Sequence, residues 1–136
     1  MSDIFQIIYH SQPFGYDEPT LAGILLDARR CNKRDGITGA LVCRHDIFLQ
    51  LLEGPKAQID AAFARIEQDD RHVETTLLVS GLVSERMFGA WEMLHDPAKS
   101  WIWTEDELAD GALARATPDE ITGVFRSLAE KVNAPQ

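Results

Sequence analysis

A hairpin with one polar residue inside an apolar strand constrains the fold of this chain more than any other stretch. Two runs of apolar, β-branched or aromatic residues, 37–44 and 47–53, are bounded by glycine, and the polar residues Arg44, His45 and Asp46 separate them. Such runs around a break of hairpin length predict two adjacent antiparallel strands. Alternation in the second strand puts apolar side chains on both faces, so we expect this strand to be covered on both sides.

Gln50 is the polar residue in that second strand, on the same face as Phe48 and Leu52. A strand covered on both faces would bury this amide, whose donors and acceptor then need partners, and leaving them unpaired costs about 1–3 kcal/mol. Two interpretations remain open: a structural glutamine bonded to a neighbouring loop, or a side chain that contacts a ligand.

Composition excludes several function classes. The chain has 136 residues, 45% hydrophobic and 26% charged, which is typical of one globular domain. No apolar run approaches the roughly 20 residues of a membrane span, and the amino terminus lacks a signal peptide, so we expect a cytoplasmic protein with no membrane partner. A formal charge of −9 argues against nucleic acid as a partner. The spacing of Cys31 and Cys43 predicts reduced thiols rather than a zinc site.

Residues 1–96 predict a β-α-β-β-α-β-β order. The segments are a strand over 4–11, a helix from the cap Thr20 to Gly36, the hairpin, a helix that begins at Pro55, and strands over 74–83 and 87–94. Each helix carries one apolar stripe: Leu21, Ile24, Leu25 and Ala28 in the first, and Ile59, Ala62, Phe63 and Ile66 in the second. Two helices on one face of an antiparallel-rich sheet are typical of a ferredoxin-like α+β domain, with a groove between the helices.

Three polar features of this domain each have two interpretations. Tyr9, near the carboxyl end of the first strand, is a core aromatic or a ligand contact. Asn32, at the exit of the first helix, is a turn or cap residue or an amide directed at a bound molecule. Four cations also lie within six residues at this exit: Arg29, Arg30, Lys33 and Arg34. They complement the dipole of a helix end or bind the phosphates of a ligand.

Residues 97–136 predict a separate extension of two short helices, because two Thr-x-x-Glu capping boxes begin at Thr104 and Thr117. The second helix has an apolar stripe of four residues: Ile121, Val124, Phe125 and Leu128. We expect this stripe to cover the sheet face that the first two helices leave bare, since an open face would expose an apolar patch of several hundred Å². A helix that binds a partner protein is the alternative.

Standard catalytic motifs are missing from the sequence. It contains no nucleophile elbow, no zinc-protease motif, no P-loop and no dinucleotide fingerprint, and its four histidines lack metal-like spacing. An acylphosphatase-like enzyme would need an anion-cradling loop after the first strand, where residues 12–15 carry no arginine. We therefore do not expect an enzyme.

Six motifs follow one another along the chain. They are Ile8-Tyr9-His10-Ser11, Ala28-x-x-x-Asn32, Gly36-Ile-Thr-Gly39-x-Leu41, Phe48-Leu-Gln50-Leu-Leu-Glu53-Gly-Pro55, Asp69-x-Arg71-His72 and Arg86-x-Phe88-x-x-Trp91-x-Met93. In order and spacing they closely resemble the BLUF family of flavin-binding blue-light sensors, over about residues 4–95. The remainder of the chain resembles the helical tail that short BLUF proteins carry instead of an output domain.

The resemblance implies a non-covalently bound FAD whose flavin ring lies between the two helices. The matching cofactor-binding positions are Ile24, Asn32, Phe48, Gln50, Ile66, Arg71 and His72. Ile24 and Ile66 would sandwich the flat ring, and Asn32 would bond its polar edge. The basic cluster from Arg29 to Arg34, with Arg30 as its site residue, is our own candidate for the phosphates.

The photoactive residues of the family match Tyr9, Gln50, Trp91 and Met93. The resemblance implies that light drives a reversible transfer of an electron and a proton from Tyr9, with Gln50 left rotated or tautomerised. The resulting red-shifted state would be relayed through the last strand and the C-terminal helices to an unknown protein partner. A homodimer through the sheet face or tail is left open. The alternative is a ferredoxin-like binding or adaptor module without photochemistry, in which Tyr9, Asn32 and Gln50 are ordinary core polar groups.

Overall fold

One five-stranded sheet organises the chain, and helices cover both of its faces. The computed structural model describes residues 4–13, 18–44, 47–68, 72–89, 91, 93–97 and 104–133. The strands are β1 (Ile4–Pro13), β2 (Thr38–Arg44), β3 (Ile47–Gly54), β4 (His72–Val83) and β5 (Leu94–Pro97). The helices are α1 (Glu18–Asp35), α2 (Lys56–Glu67), α3 (Glu105–Ala109), α4 (Ala112–Arg115) and α5 (Pro118–Asn133).

The sheet has the order β4-β1-β3-β2-β5. The first four strands pair antiparallel, and β5 joins β2 in parallel. This arrangement, with α1 and α2 over one face, confirms the predicted ferredoxin-like α+β fold.

Strand β3 lies at the centre of the sheet, and all eight of its residues are buried. Phe48 and Leu52 belong to the core beneath α1 and α2, whereas the alternate residues Ile47, Leu49 and Leu51 belong to a second core on the opposite face. The expectation that both faces of this strand are covered, and that Gln50 is buried, is confirmed.

Helices α1 and α2 bury the stripes that the sequence predicts. Leu21, Ile24 and Leu25 are buried in α1, and Ile59 and Ala62 in α2. Gly36 ends α1 with a φ of 71°, a left-handed conformation that glycine adopts without a steric penalty. Helix α1 begins earlier than predicted, at Glu18, so Thr20 lies inside its first turn. Pro19 suits that turn, where a backbone N–H has no intrahelical partner.

The stripe of α5 packs on the sheet face opposite α1 and α2. Ile121, Phe125 and Leu128 are buried there in one cluster with residues of β1, β2 and β3. Both capping boxes form, because the Thr104 and Thr117 hydroxyls accept from the N–H groups three residues ahead, and the Glu107 and Glu120 carboxylates accept in return. The hydrogen bonds from Thr104 hold the pKa of Glu107 below its usual range.

The described part of the tail, residues 104–133, contains three helices where two short ones were predicted. Gly111 has a φ of 83° and separates α3 from α4, and α5 has 16 residues. The last strand also differs from prediction, since β5 begins at Leu94 and not at Met87. The N–H groups of Met87 and Phe88 bond the side chain of Glu53 and are therefore unavailable for a strand ladder. Within the described residues no helix is long and apolar enough to cross a membrane.

Gly39 of β2 lies too close to β3 to accommodate a side chain. A Cβ atom there would lie 2.0 Å from the Leu51 carbonyl oxygen, a backbone atom that cannot swing aside. We expect Gly39→Ala to lower the free energy of unfolding by about 1–3 kcal/mol, as overpacking does. Gly81→Ala is the matched control, because a Cβ in that strand position meets nothing within 4 Å. Equal urea midpoints for the two variants would contradict this close approach.

Candidate functional site

A cavity of about 240 Å³ lies between α1 and α2, over β3. Ile24 of α1 and Ile66 of α2 line it with apolar side chains, and Leu52 contributes from the sheet. Asn32 and Gln50 add two buried amides to this lining. The predicted groove between the helices therefore exists, and it combines apolar walls with a few polar groups, as small-molecule sites do.

Tyr9 and Gln50 lie directly opposite each other in the β1–β3 ladder, and both are buried. The Tyr9 ring meets the Phe63 ring edge-on, with centroids 5.4 Å apart, which anchors the phenol in the core. The Gln50 amide donates from Nε2 to the sulfur of Met93 at 3.3 Å. A thioether is a weak acceptor, so the amide loses little when it exchanges this bond for another.

Asn32 serves two purposes with different atoms. Its backbone carbonyl accepts from the N–H of Ile37 at 2.9 Å and so closes the end of α1. Its side chain is 4% exposed and lines the cavity. The capping role and the ligand-facing role that the sequence left as alternatives are therefore compatible.

The cations at the end of α1 have different partners in the structure. Arg29 donates from Nε to the carbonyl of Met93 at 3.2 Å. Arg34 pairs with Asp35 at 2.9 Å, and this hydrogen bond holds the pKa of the Asp35 carboxyl below its usual range. Only Arg30 of the four cations lines the cavity, where it pairs with Asp27 at 3.3 Å. Since an exposed ion pair contributes little, the Arg30 guanidinium can exchange Asp27 for another anion.

The structure places most of the predicted site residues together. Ile24, Arg30, Asn32, Gln50 and Ile66 line the cavity, and Tyr9, Phe48 and Met93 lie in the core around it. Trp91 is 37% exposed and is not among the lining residues. Arg71 lies outside the described residues, as does the side chain of His72.

Sequence reasoning missed one cation of the cavity, Arg65 of α2. The sequence contains a signal for it: Arg65 lies three residues after Ala62, on the same helix face, and directly before Ile66. Arg65 also pairs with Asp35 at 3.4 Å, which links the end of α1 to α2 beside the cavity.

A larger cavity, of about 490 Å³, lies on the opposite side of the sheet beside the tail. Leu113 and Ile121 line it with apolar side chains, and its polar lining comes from partly or fully exposed residues such as His10 and Gln12. Its described lining includes no pair of buried amides, so the smaller cavity is the better candidate for specific recognition.

Comparison with known proteins decides the family. Residues 4–94 match the family model described as sensors of blue-light using FAD, abbreviated BLUF. The chain belongs to the BLUF family. Its cofactor class is therefore FAD, and its class of activity is blue-light sensing.

Solved BLUF structures share the whole described fold. A structure described as BlrB, a BLUF protein in its dark state, superposes with a TM-score of 0.77 at 26% identity and covers 96% of this chain and 98% of its own. A structure described as the BlsA photo-activated state has the same TM-score and identity, and covers 98% and 97%. Both likenesses extend beyond the BLUF match into the tail.

A curated relative shares only part of its length with this chain. Photoactivated adenylate cyclase subunit alpha of Euglena gracilis is 37% identical over 62 residues, which is 46% of this chain and 6% of that protein. This chain therefore corresponds to only a small part of that relative.

Proposed function

We propose that this BLUF protein senses blue light with a flavin ring held in the cavity between α1 and α2, and that Tyr9 and Gln50 perform its photochemistry. One observation carries the proposal. Gln50 lies in the cavity wall, directly across the ladder from the buried Tyr9, and its amide bonds a weak acceptor that it can exchange.

The cavity residues fit the cofactor in chemical kind. Ile24 and Ile66 offer two apolar walls to a flat ring, and Phe48 packs in the core beside them. Asn32 and Gln50 supply the donors and acceptors that the polar edge of a flavin needs. Arg30, together with Arg65, supplies cations for phosphate groups. Arg71 and His72 remain predicted contacts to the rest of FAD.

Bound FAD would supply blue-light absorption and an excited state that is a strong oxidant. Tyr9 would give up an electron and then a proton, the latter through the amide of Gln50, and both would return to it. Gln50 would be left rotated or tautomerised, because the two ends of an amide differ as donor and acceptor. Met93 would then lose or change its contact with Gln50, and the new hydrogen-bond pattern would shift absorption slightly to the red.

The route onward would begin at Met93, one residue before β5, and Trp91 would belong to the same relay. Residues 1–96 would form the flavin-binding domain and residues 97–136 its helical extension, whose α5 stripe packs on the opposite face of β3. A change at Met93 would bias the tail between two populations and so reach a partner protein. A homodimer through the sheet face or the tail remains a prediction, with α5 packed on that face.

We further propose that the chain acts as a sensor without turnover of a substrate, and that it works in the cytoplasm. Both described cysteines are thiols, which agrees with a reducing compartment.

The visible spectrum of the purified protein, before and after a blue flash, tests the proposal. We expect a flavin band that shifts slightly to the red and recovers in darkness. A flavin-loaded protein with no reversible shift would contradict the assignment of Tyr9 and Gln50. A colourless protein that takes up no added FAD would instead support an adaptor module, with Gln50 as a structural amide.

A further inference from the structure

Glu53 is a fully buried carboxylate at the end of β3, outside the cavity. It accepts four hydrogen bonds. Oε1 accepts from Gln6 Nε2 at 3.3 Å and from the backbone N–H of Met87 at 2.7 Å. Oε2 accepts from the Thr38 hydroxyl at 3.1 Å and from the backbone N–H of Phe88 at 2.6 Å.

Each carboxylate oxygen thus faces one side-chain donor and one backbone donor. A carboxylate accepts at both oxygens and therefore satisfies all four groups. The two bonds from backbone N–H groups have the short lengths of charge-assisted hydrogen bonds, which are about twice as strong as neutral ones. An amide in this position would point an NH2 group at two donors, one of them a backbone N–H.

The residues that Glu53 holds belong to a segment between β4 and β5, here called the connector (residues 86–93, described at 86–89, 91 and 93). Arg86, at its start, donates to the Gly36 carbonyl at 2.7 Å, to the Glu53 carbonyl at 3.2 Å and to the Thr38 hydroxyl at 2.9 Å. The Thr38 hydroxyl therefore accepts from the guanidinium and donates to the carboxylate, which places a cation near the buried charge.

The far end of the connector meets the cavity. The Trp91 carbonyl accepts from the N–H of Gly39 at 3.1 Å, and the Met93 carbonyl accepts from Arg29 at 3.2 Å. Met93 then presents its sulfur to Gln50. In its middle the connector meets the tail, where the buried Phe88 ring lies edge-on to the Phe125 ring, with centroids 6.4 Å apart.

We propose that Glu53 is a positioning residue for the light response. Its carboxylate fixes the connector by the N–H groups of Met87 and Phe88, and this sets where the Met93 sulfur meets Gln50. The inference rests on the proposed photochemical role of Gln50. When the connector is loosened, the position of the Met93 sulfur beside the Gln50 amide is less fixed. The amide then returns to its dark arrangement over a lower barrier.

Glu53→Gln tests this inference in the FAD-loaded full chain, because it keeps the shape of the side chain and removes only its capacity to accept at both ends. We expect FAD to stay bound and dark recovery to become faster by about tenfold, a change that corresponds to about 1.4 kcal/mol in the barrier. The control is Glu67→Gln on the exposed end of α2, which should recover like the wild type. Thr38→Val is a milder second variant, since it removes one donor to Glu53 and should accelerate recovery less.

Two further readouts separate positioning from a general loss of stability. The chain has three methionines, so 13C-methyl methionine spectra are simple, and Met93→Ala identifies the Met93 signal. That signal should move in Glu53→Gln and stay in place in the control. Because Glu53 acts through Met93, adding Glu53→Gln to Met93→Ala should change recovery little beyond the single Met93→Ala variant.

The light response of the wild type tests the proposed function, and the recovery rates of the variants test the role of Glu53. A wild-type protein without a reversible red shift would overturn the photochemical role of Gln50, and this inference with it. If the wild type responds to light but Glu53→Gln and Thr38→Val keep the wild-type recovery rate and Met93 signal, the role of Glu53 alone is overturned. Full acceleration in the Met93→Ala background would also overturn it, because Glu53 would then act by another route.

Discussion

Tyr9→Phe is expected to keep FAD bound and to abolish the light-induced red shift. The variant removes one hydroxyl from a ring that is completely buried and that packs edge-on against Phe63, so the core keeps its shape. Loss of a single buried hydrogen-bonding group costs about 0.5–1.5 kcal/mol, which most domains tolerate. The phenol is the proposed donor of both the electron and the proton, and phenylalanine supplies neither.

The measurement is a light-minus-dark difference spectrum at equal flavin occupancy. Tyr16→Phe is the matched control, because it makes the same chemical change at the other tyrosine of the chain. An unchanged shift in Tyr9→Phe would remove this residue from the photochemistry. If both variants lost the shift, the loss would not be specific to Tyr9, and the experiment would not support its role as the donor.

Phe125→Ala is expected to lower the free energy of unfolding by about 3–5 kcal/mol, the usual cost of emptying a buried aromatic site. Phe125 is fully buried in α5, against the sheet face opposite the cavity and edge-on to Phe88. Arg126→Ala on the same helix is the control, since Arg126 is exposed and surface changes of this kind stay within about 0.5 kcal/mol.

Urea denaturation followed by far-ultraviolet circular dichroism measures both variants. If Phe125→Ala proved as stable as the control, α5 would not be docked on the sheet in solution. The interpretation of its stripe as a partner-binding surface would then regain support.

The parts of the fold that the sequence predicts are those fixed by local patterns. The hairpin, the stripes of α1, α2 and α5, the stop at Gly36 and both capping boxes depend on residues within a few positions of one another. The connector was misjudged for the opposite reason. Its Met, Phe and Trp residues are typical of a strand, but bonds from Arg86 and Met87 to Glu53, more than 30 residues earlier in the sequence, decide its course.

The candidate site divides in the same way. The motifs around Tyr9, Asn32 and Gln50 identify the family and the polar residues at the cavity. Arg29 bonds the backbone of Met93, 64 positions away in the sequence. The spacing of cations along α1 therefore cannot show that Arg29 binds backbone whereas Arg30 lines the cavity. The exposure of Trp91 likewise depends on the course of the connector.

The central strand β3 carries two interleaved sets of side chains. Phe48 and Leu52 serve the cavity side with Gln50, whereas Ile47, Leu49 and Leu51 serve the tail. Because successive side chains of a strand point to opposite faces, these eight residues contribute to two separate cores. A protein engineer who replaced the tail with another helix would redesign the second set and keep the first, so a new tail requires no change in the β3 residues that face the cavity.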